Sequence, residues 1–167
     1  KSAIGHDVTL STCQLDFLLP ERFELEYVDE GGKKERPVVI HRAILGSLDR
    51  FIAYILEETK GALPTWLSPV QVNILPVNNE YHLEYAKEIY QELFSLDMRV
   101  ELDDRDEKVG YRMRESVINK NPFTLIIGQK EVDNKTISYR KYGSEETKTV
   151  SKDEFIHLLK EEIELKK

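Results

Sequence analysis

The sequence predicts an α/β protein, and three observations carry that reading. From residue 70 onward, short β-branched runs alternate with longer stretches of helical periodicity, the pattern of a parallel sheet with crossover helices. Upstream the order changes: strand-like runs come first and one helix follows, which reads as an antiparallel meander covered by a helix. Between the two lies GALPTWLSP (61–69), with two prolines and a glycine, the best linker in the chain. A length of 167 residues allows one medium domain, or a small domain joined to part of another.

In chain order, residues 1–13 are polar. Gln14–Leu19 alternates, with Leu15, Phe17 and Leu19 on one face, until Pro20 and Glu21 stop it. Arg22–Val28 alternates strictly, placing Phe23, Leu25 and Tyr27 opposite Arg22, Glu24 and Glu26. It is the strongest single strand signal in the sequence. Asp29–Lys34 is a charged turn. Pro37 restricts Val38, Val39 and Ile40 to the start of a strand running to His41. The chain turns over Ala43–Gly46, and Ser47 caps a helix over Leu48–Glu58 that Asp49 and Arg50 open.

Beyond the linker, which Trp66 and Leu67 pin to a neighbour, Val70–Val77 reads as a buried strand. Glu80–Leu96 reads as an amphipathic helix with Tyr81, Tyr85, Ile89 and Leu93 at helical spacing. Asp97–Leu102 and Phe123–Ile127 are further strands, separated by a helix over Val109–Asn119 with Met113 and Val117 inward. Ile137–Tyr142 and Lys148–Val150 pair as an antiparallel edge across Gly143 and Ser144. Ser151 and Glu154 form the capping box of the last helix, whose apolar face is Ile156, Leu158, Leu159 and Ile163. There is no internal repeat.

Composition narrows the function. A net charge of -7 argues against binding nucleic acid through a broad basic face, though a local patch suffices for phosphate contacts. Cys13 is the only cysteine, so there is no disulfide framework or cysteine-rich metal knuckle, and a reducing cytoplasm is the expected compartment. No apolar run is long enough to cross a bilayer, and no membrane partner is expected. A first residue of Lys1 rather than Met is expected of a segment excised from something longer.

A strand that ends in a glycine turn and launches a helix puts backbone N–H groups beside an anion site. Arg50 lies in that helix's first turn, where the dipole disfavours a cation, so a phosphate or carboxylate partner accounts for it best. Read from the residues alone, His41 is a structural histidine, because no companion stands at zinc spacing. Thr12 and Gln14 are ordinary polar strand residues on the same footing. The charged cluster 104–114 (DRDEKVGYRMR) reads as a solvated loop and helix start, although its basic residues sit where the dipole does not favour them.

The segment HRAILGSLDRF (41–51) resembles the third signature motif of class II aminoacyl-tRNA synthetases, and in wording the threonyl-tRNA synthetase family. The likeness runs on to the C-terminus, while motif 1, motif 2 and an editing domain are absent. The resemblance implies that residues 1–66 are the C-terminal part of a class II catalytic domain. It makes 67–167 a three-layer α/β anticodon-binding domain with a mixed sheet. It implies that Arg50 is catalytic, stacking on adenine and pairing with phosphate, and that Thr12, Gln14 and Ser47 face the threonyl-adenylate. His41 would be one of three ligands of a zinc ion that binds threonine, the other two lying upstream. Anticodon contacts would fall to Asp106, Lys108, Arg114, Lys120, Glu131 and Arg140. Asp106 stands where the family commonly has asparagine and Gln129 where aspartate is usual, so base preference there is open.

The resemblance further implies that the parent, a cytoplasmic homodimer, joins threonine to tRNA(Thr) using ATP, Mg2+ and zinc. This segment alone would be inactive, would hold neither cofactor, and would bind the anticodon stem-loop. Two other functions stay open at this point: a free-standing adaptor binding RNA or protein on the same fold, and an α/β domain with no RNA role. The motif 3 segment argues against the adaptor, which has no use for Arg50 or His41.

Overall fold

The computed structural model describes residues 1–166, and the chain divides into two compact units, Lys1–Thr59 and a second beginning at Lys60. The first unit runs β1 (Thr12–Asp16), α1 (Leu18–Arg22), β2 (Tyr27–Val28), β3 (Lys34–Glu35), β4 (Val39–Ala43) and α2 (Leu48–Glu58). Its strands pair antiparallel but not as a three-stranded meander: β1 pairs with β4, and β2 with β3, in two separate sheets.

The strictest alternation in the sequence therefore does not form the strand it predicts, and local hydrogen bonding explains why. The Asp16 carboxylate accepts the N–H groups of Leu18 and Leu19, at 2.9 and 3.0 Å, and turns the chain out of β1 into α1. Pro20 brings a helical φ inside that turn. The helix then closes in a Schellman arrangement: Glu24 is left-handed (φ 50), its N–H bonds the Glu21 carbonyl, and the Leu25 N–H bonds the Pro20 carbonyl. Only Tyr27 and Val28 remain extended. Their partners lie across a turn that the Asp29 carboxylate organises by accepting from Gly31 and Lys33.

At the head of α2 the expectation holds. Ser47 is extended and its hydroxyl accepts the Arg50 N–H at 3.4 Å. Gly46 supplies the preceding turn at φ +63, where a Cβ would stand 3.3 Å from the Leu10 carbonyl.

The second unit runs β5 (Val72–Pro76), α3 (Asn79–Ser95), β6 (Val100–Leu102), α4 (Val109–Ile118), β7 (Phe123–Ile127), α5 (Gln129–Asn134), β8 (Thr136–Lys141), β9 (Thr147–Ser151) and α6 (Lys152–Glu164). Its five-stranded mixed sheet has the order β6-β5-β7-β8-β9; β6, β5 and β7 are parallel, and β8 and β9 antiparallel. The alternating parallel layer and the antiparallel edge are as expected. Helix α5 was not, being too short for periodicity to reveal; the Glu131 carboxylate starts it by accepting the Gly128 N–H at 2.9 Å.

Strand alternation sorts the sheet into two faces. Val72, Ile74, Phe123, Leu125, Ile137 and Tyr139 lie on one and are buried against α3 and α6. There Phe123, Tyr139 and Phe155 meet ring to ring at 5.3–5.8 Å. Ser151 and Glu154 make the predicted capping box of α6, with Phe155 and Leu159 its deepest residues. On α3 the inward face is His82, Tyr85, Ala86, Ile89 and Leu93, while Tyr81 is exposed.

The opposite face is polar where α4 covers it, which corrects the expectation for that helix. Met113 is half-buried and Val117 is 47% exposed; Arg112 and Ser116 point inward instead. Beneath them Asn73 and Thr124 are register partners, and Ser116 and Thr124 share a hydrogen bond of 2.7 Å. A helix whose floor is polar turns its polar residues to it, whatever its apolar spacing advertises.

The segment 61–69 belongs to this unit. Thr65 donates to Glu162 at 2.9 Å, Gln71 donates to the Thr65 carbonyl, and Arg99 holds the carbonyls of Trp66 and Ser68. Among the described residues no helix is long and apolar enough to cross a membrane.

Candidate functional site

In the first unit the β1–β4 register sets Gln14 opposite His41 and Thr12 opposite Ala43. Residues two apart on a strand share a face, so Thr12, Gln14 and His41 stand together on one exposed face of this ribbon. His41 Nε2 lies 2.8 Å from Asp16 Oδ2, beside an open cavity of about 560 Å3 lined by Gln14, Asp16, Phe17 and His41. The Leu19 N–H first, and then His41, hold the Asp16 carboxyl below its usual range. Asp16 was not singled out in the sequence; only its pairing register brings it to the histidine.

The bond to Asp16 leaves Nδ1 as the other nitrogen of the His41 ring. Among the described residues no three His, Cys, Asp or Glu side chains gather where they could hold a metal. One imidazole does not fit a complete zinc centre, and the donors present here do not build one. Ser47 and Arg50 open α2, both exposed.

In the second unit the six expected anticodon contacts separate into groups. Asp106 and Lys108 lie on the exposed loop between β6 and α4, at the carboxyl edge of the parallel strands. Glu131 lies at the same edge, in the first turn of α5. Arg114 is exposed on the outer side of α4. Lys120 and Arg140 are elsewhere, so the six do not form one cluster at the carboxyl edge. Lys120 follows α4 and its ammonium donates to the Lys60 carbonyl. Arg140 pairs with Thr124, near the beginning of β7. Their causes differ: β8 runs antiparallel to β7 and carries Arg140 back toward the opposite edge, whereas Lys120 lies where α4 has already returned the chain to the start of β7.

The link between the groups is the polar face of β8. Burial pushes the Glu131 carboxyl upward, but the Ser138 hydroxyl and the Gly128 N–H outweigh it and leave it below its usual range. Ser138 donates to Glu131 at 2.6 Å and lies 2.7 Å from the Thr149 hydroxyl. Arg140 is two residues further along the same face, about 7 Å away at strand rise. Its Nη2 reaches Thr147 only at 3.4 Å, and its buried Nε–H has no partner among the described residues. It borders a cavity of about 330 Å3, with Met113 and Val117 of α4 on one wall and Tyr142 and Ser144 on another. A half-satisfied guanidinium on a polar sheet face, with apolar atoms beside it, suits a planar polar ligand.

Sequence reasoning passed over Arg112, whose side chain is 2% exposed. The available signal was its i,i+4 spacing from Ser116, two polar residues on one helix stripe.

The second unit is thus a five-stranded mixed sheet with a polar face, and the first a two-stranded ribbon followed by a capped helix that presents an arginine. Two family models match accordingly: "Anticodon binding domain" over residues 71–162, and "tRNA synthetase class II core domain (G, H, P, S and T)" over residues 2–59. The chain belongs to the anticodon-binding domain family and carries with it a segment of the class II synthetase core.

Its relatives are more particular. It is 55% identical over all 167 residues to the threonine--tRNA ligase of Staphylococcus carnosus, and 53% identical over the same span to that of Oceanobacillus iheyensis. It spans 26% of the length of each of these curated relatives. Among solved structures, the RNA binding domain of threonyl-tRNA synthetase from Cryptosporidium parvum matches 96% of this chain and 40% of that one. The TM-score is 0.85 at 36% identity.

Proposed function

We propose that the chain is the C-terminal part of a threonine--tRNA ligase, and that its own activity is to bind the anticodon stem-loop of tRNA(Thr). The observation that carries this reading is Arg140: a guanidinium whose buried Nε–H has no partner among the described residues, on the polar sheet face of a domain in the anticodon-binding family. Unstacked anticodon bases offer hydrogen-bonding edges and a flat apolar face, and an arginine serves both. Arg140 and Glu131 read base edges from the β8 face, Asp106 and Lys108 from the loop before α4, and Arg114 and Lys120 meet the sugar–phosphate backbone. The unit beginning at Lys60 is the anticodon-binding domain and Lys1–Thr59 the end of the catalytic domain, so the boundary falls a few residues before the expected division into 1–66 and 67–167.

In the intact cytoplasmic parent, a homodimer, the first unit completes the site for threonine and ATP. Arg50 grips the adenine and phosphates of Mg2+-bound ATP from the head of α2. Ser47, Thr12 and Gln14 face the adenylate. His41 would contribute one ligand to a zinc ion whose other protein ligands lie outside this chain, and such an ion would supply Lewis acidity toward the threonine amine and hydroxyl.

The test titrates labelled stem-loops, one with the threonine anticodon and one with it exchanged, at two salt concentrations. Tighter binding of the threonine loop, with a salt slope of only a few phosphates, is expected. Equal binding of both loops would refute the reading and favour a non-catalytic adaptor.

A further inference from the structure

Arg112 is the largest fully buried side chain among the described residues, and the proposed recognition does not use it. A buried guanidinium costs several kcal/mol unless its donors are met. Its three hydrogen bonds all go to backbone carbonyls: Nη2 to Pro76 at 2.7 Å, Nε to Glu107 at 3.1 Å, and Nη1 to Asp103. Those carbonyls belong to the last residue of β5, the residue that follows β6 and the residue before the N-cap of α4. One side chain thus ties three separate pieces of backbone to a single planar group.

Other donors complete the arrangement. Asn79, in the first turn of α3, takes the Asp104 carbonyl. Arg105 grips the Asp103 carboxylate through Nε and Nη2, at 2.8 and 2.7 Å, and also pairs with Glu115 of α4. With the carbonyls of Asp103, Asp104 and Glu107 drawn inward, the side chains of Asp104, Asp106 and Lys108 stand in solvent. A leucine could fill the same space at lower desolvation cost, but it could not hold carbonyls.

We infer that Arg112 is the positioning residue of an RNA-reading loop: it presets residues 103–108 so that Asp106 and Lys108 meet a nucleotide without first being ordered. This rests on the anticodon reading above. Ordering a loop on binding weakens affinity, so a loop already ordered binds more tightly and discriminates more sharply.

The experiment uses the full chain and its Arg112→Met and Arg112→Lys variants. Two readouts are taken: amide hydrogen exchange, and titration with the threonine and anticodon-exchanged stem-loops. Arg112→Met should lose exchange protection across 104–108 while β7 amides keep theirs, and should bind the threonine loop about tenfold more weakly. The exchanged loop should change much less, so discrimination collapses. Arg112→Lys keeps the charge but offers a point donor that cannot span three carbonyls, and should restore part of both readouts.

If the wild-type chain does not discriminate, the anticodon reading itself falls and the loop's role with it. If it discriminates, and Arg112→Met loosens the loop yet discriminates equally, the reading stands and the positioning role is refuted. Unchanged loop exchange in Arg112→Met refutes it too. Should Arg112→Met not fold, Arg112→Lys decides: loop exchange and discrimination both unchanged would overturn the inference.

Discussion

Replacing Arg140 with alanine separates binding from stability more cleanly than any other change in this protein. Arg140 lies on β8, which is held on both sides by the ladders to β7 and β9 and does not need the side chain to stay in place. Among the described residues its side chain makes one hydrogen bond, long at 3.4 Å to Thr147, and its buried Nε–H has no partner. The bond contributes at most about 0.5 kcal/mol, and removing an unsatisfied donor offsets even that. Arg140→Ala should therefore change the unfolding free energy by less than about 0.5 kcal/mol. A base edge that loses a bidentate guanidinium loses about 1–3 kcal/mol, or roughly 5- to 150-fold in Kd. Urea unfolding followed by circular dichroism measures the first quantity, and anisotropy titration of the two stem-loops the second. Unchanged binding and discrimination would refute the assignment of Arg140 to a base. Destabilisation beyond about 1 kcal/mol would refute the claim that the folded protein leaves its guanidinium free.

Three further outcomes are expected. Ser151→Ala removes the hydroxyl that accepts the Glu154 N–H, and should cost about 1 kcal/mol in urea unfolding of the second unit, with no effect on RNA affinity. Arg105 beside Asp103 holds that carboxyl below its usual range, so ionised Asp103 stabilises the fold above about pH 4, and this contribution fades as pH falls through the lower folded value. Asp103→Asn should accordingly flatten the acid limb of the urea midpoint against pH; an unchanged limb would mean that the pair carries no net stability. Limited proteolysis should enter residues 1–59 before the second unit, since Phe23, Ile44 and Leu48 are exposed there and α2 buries no residue; equal resistance of both units would count against this.

Sequence by itself determined whatever depends on neighbours in the chain. Ser47 and the Ser151–Glu154 pair cap the helices they were expected to cap, and Phe123–Ile127 is the strand that its β-branched run predicts. Alternation of strand and helix after residue 70 is enough for a parallel layer, because short crossovers leave few alternatives. Tertiary structure decided whatever depends on distant partners. The alternation over 22–28 lost to a helix that Asp16 starts, and β1 found its partner in β4, more than twenty residues away. Arg112 and Ser116 displaced Met113 and Val117 from the inward stripe of α4 because the sheet beneath presents Asn73 and Thr124. Most of all, the antiparallel return of β8 carried Arg140 away from Asp106 and Lys108 and brought it onto one face with Ser138 and Glu131. Periodicity records how much of a residue is apolar and how often it recurs, whereas the polarity of the surface it meets and the direction of the next strand are settled only when the chain packs.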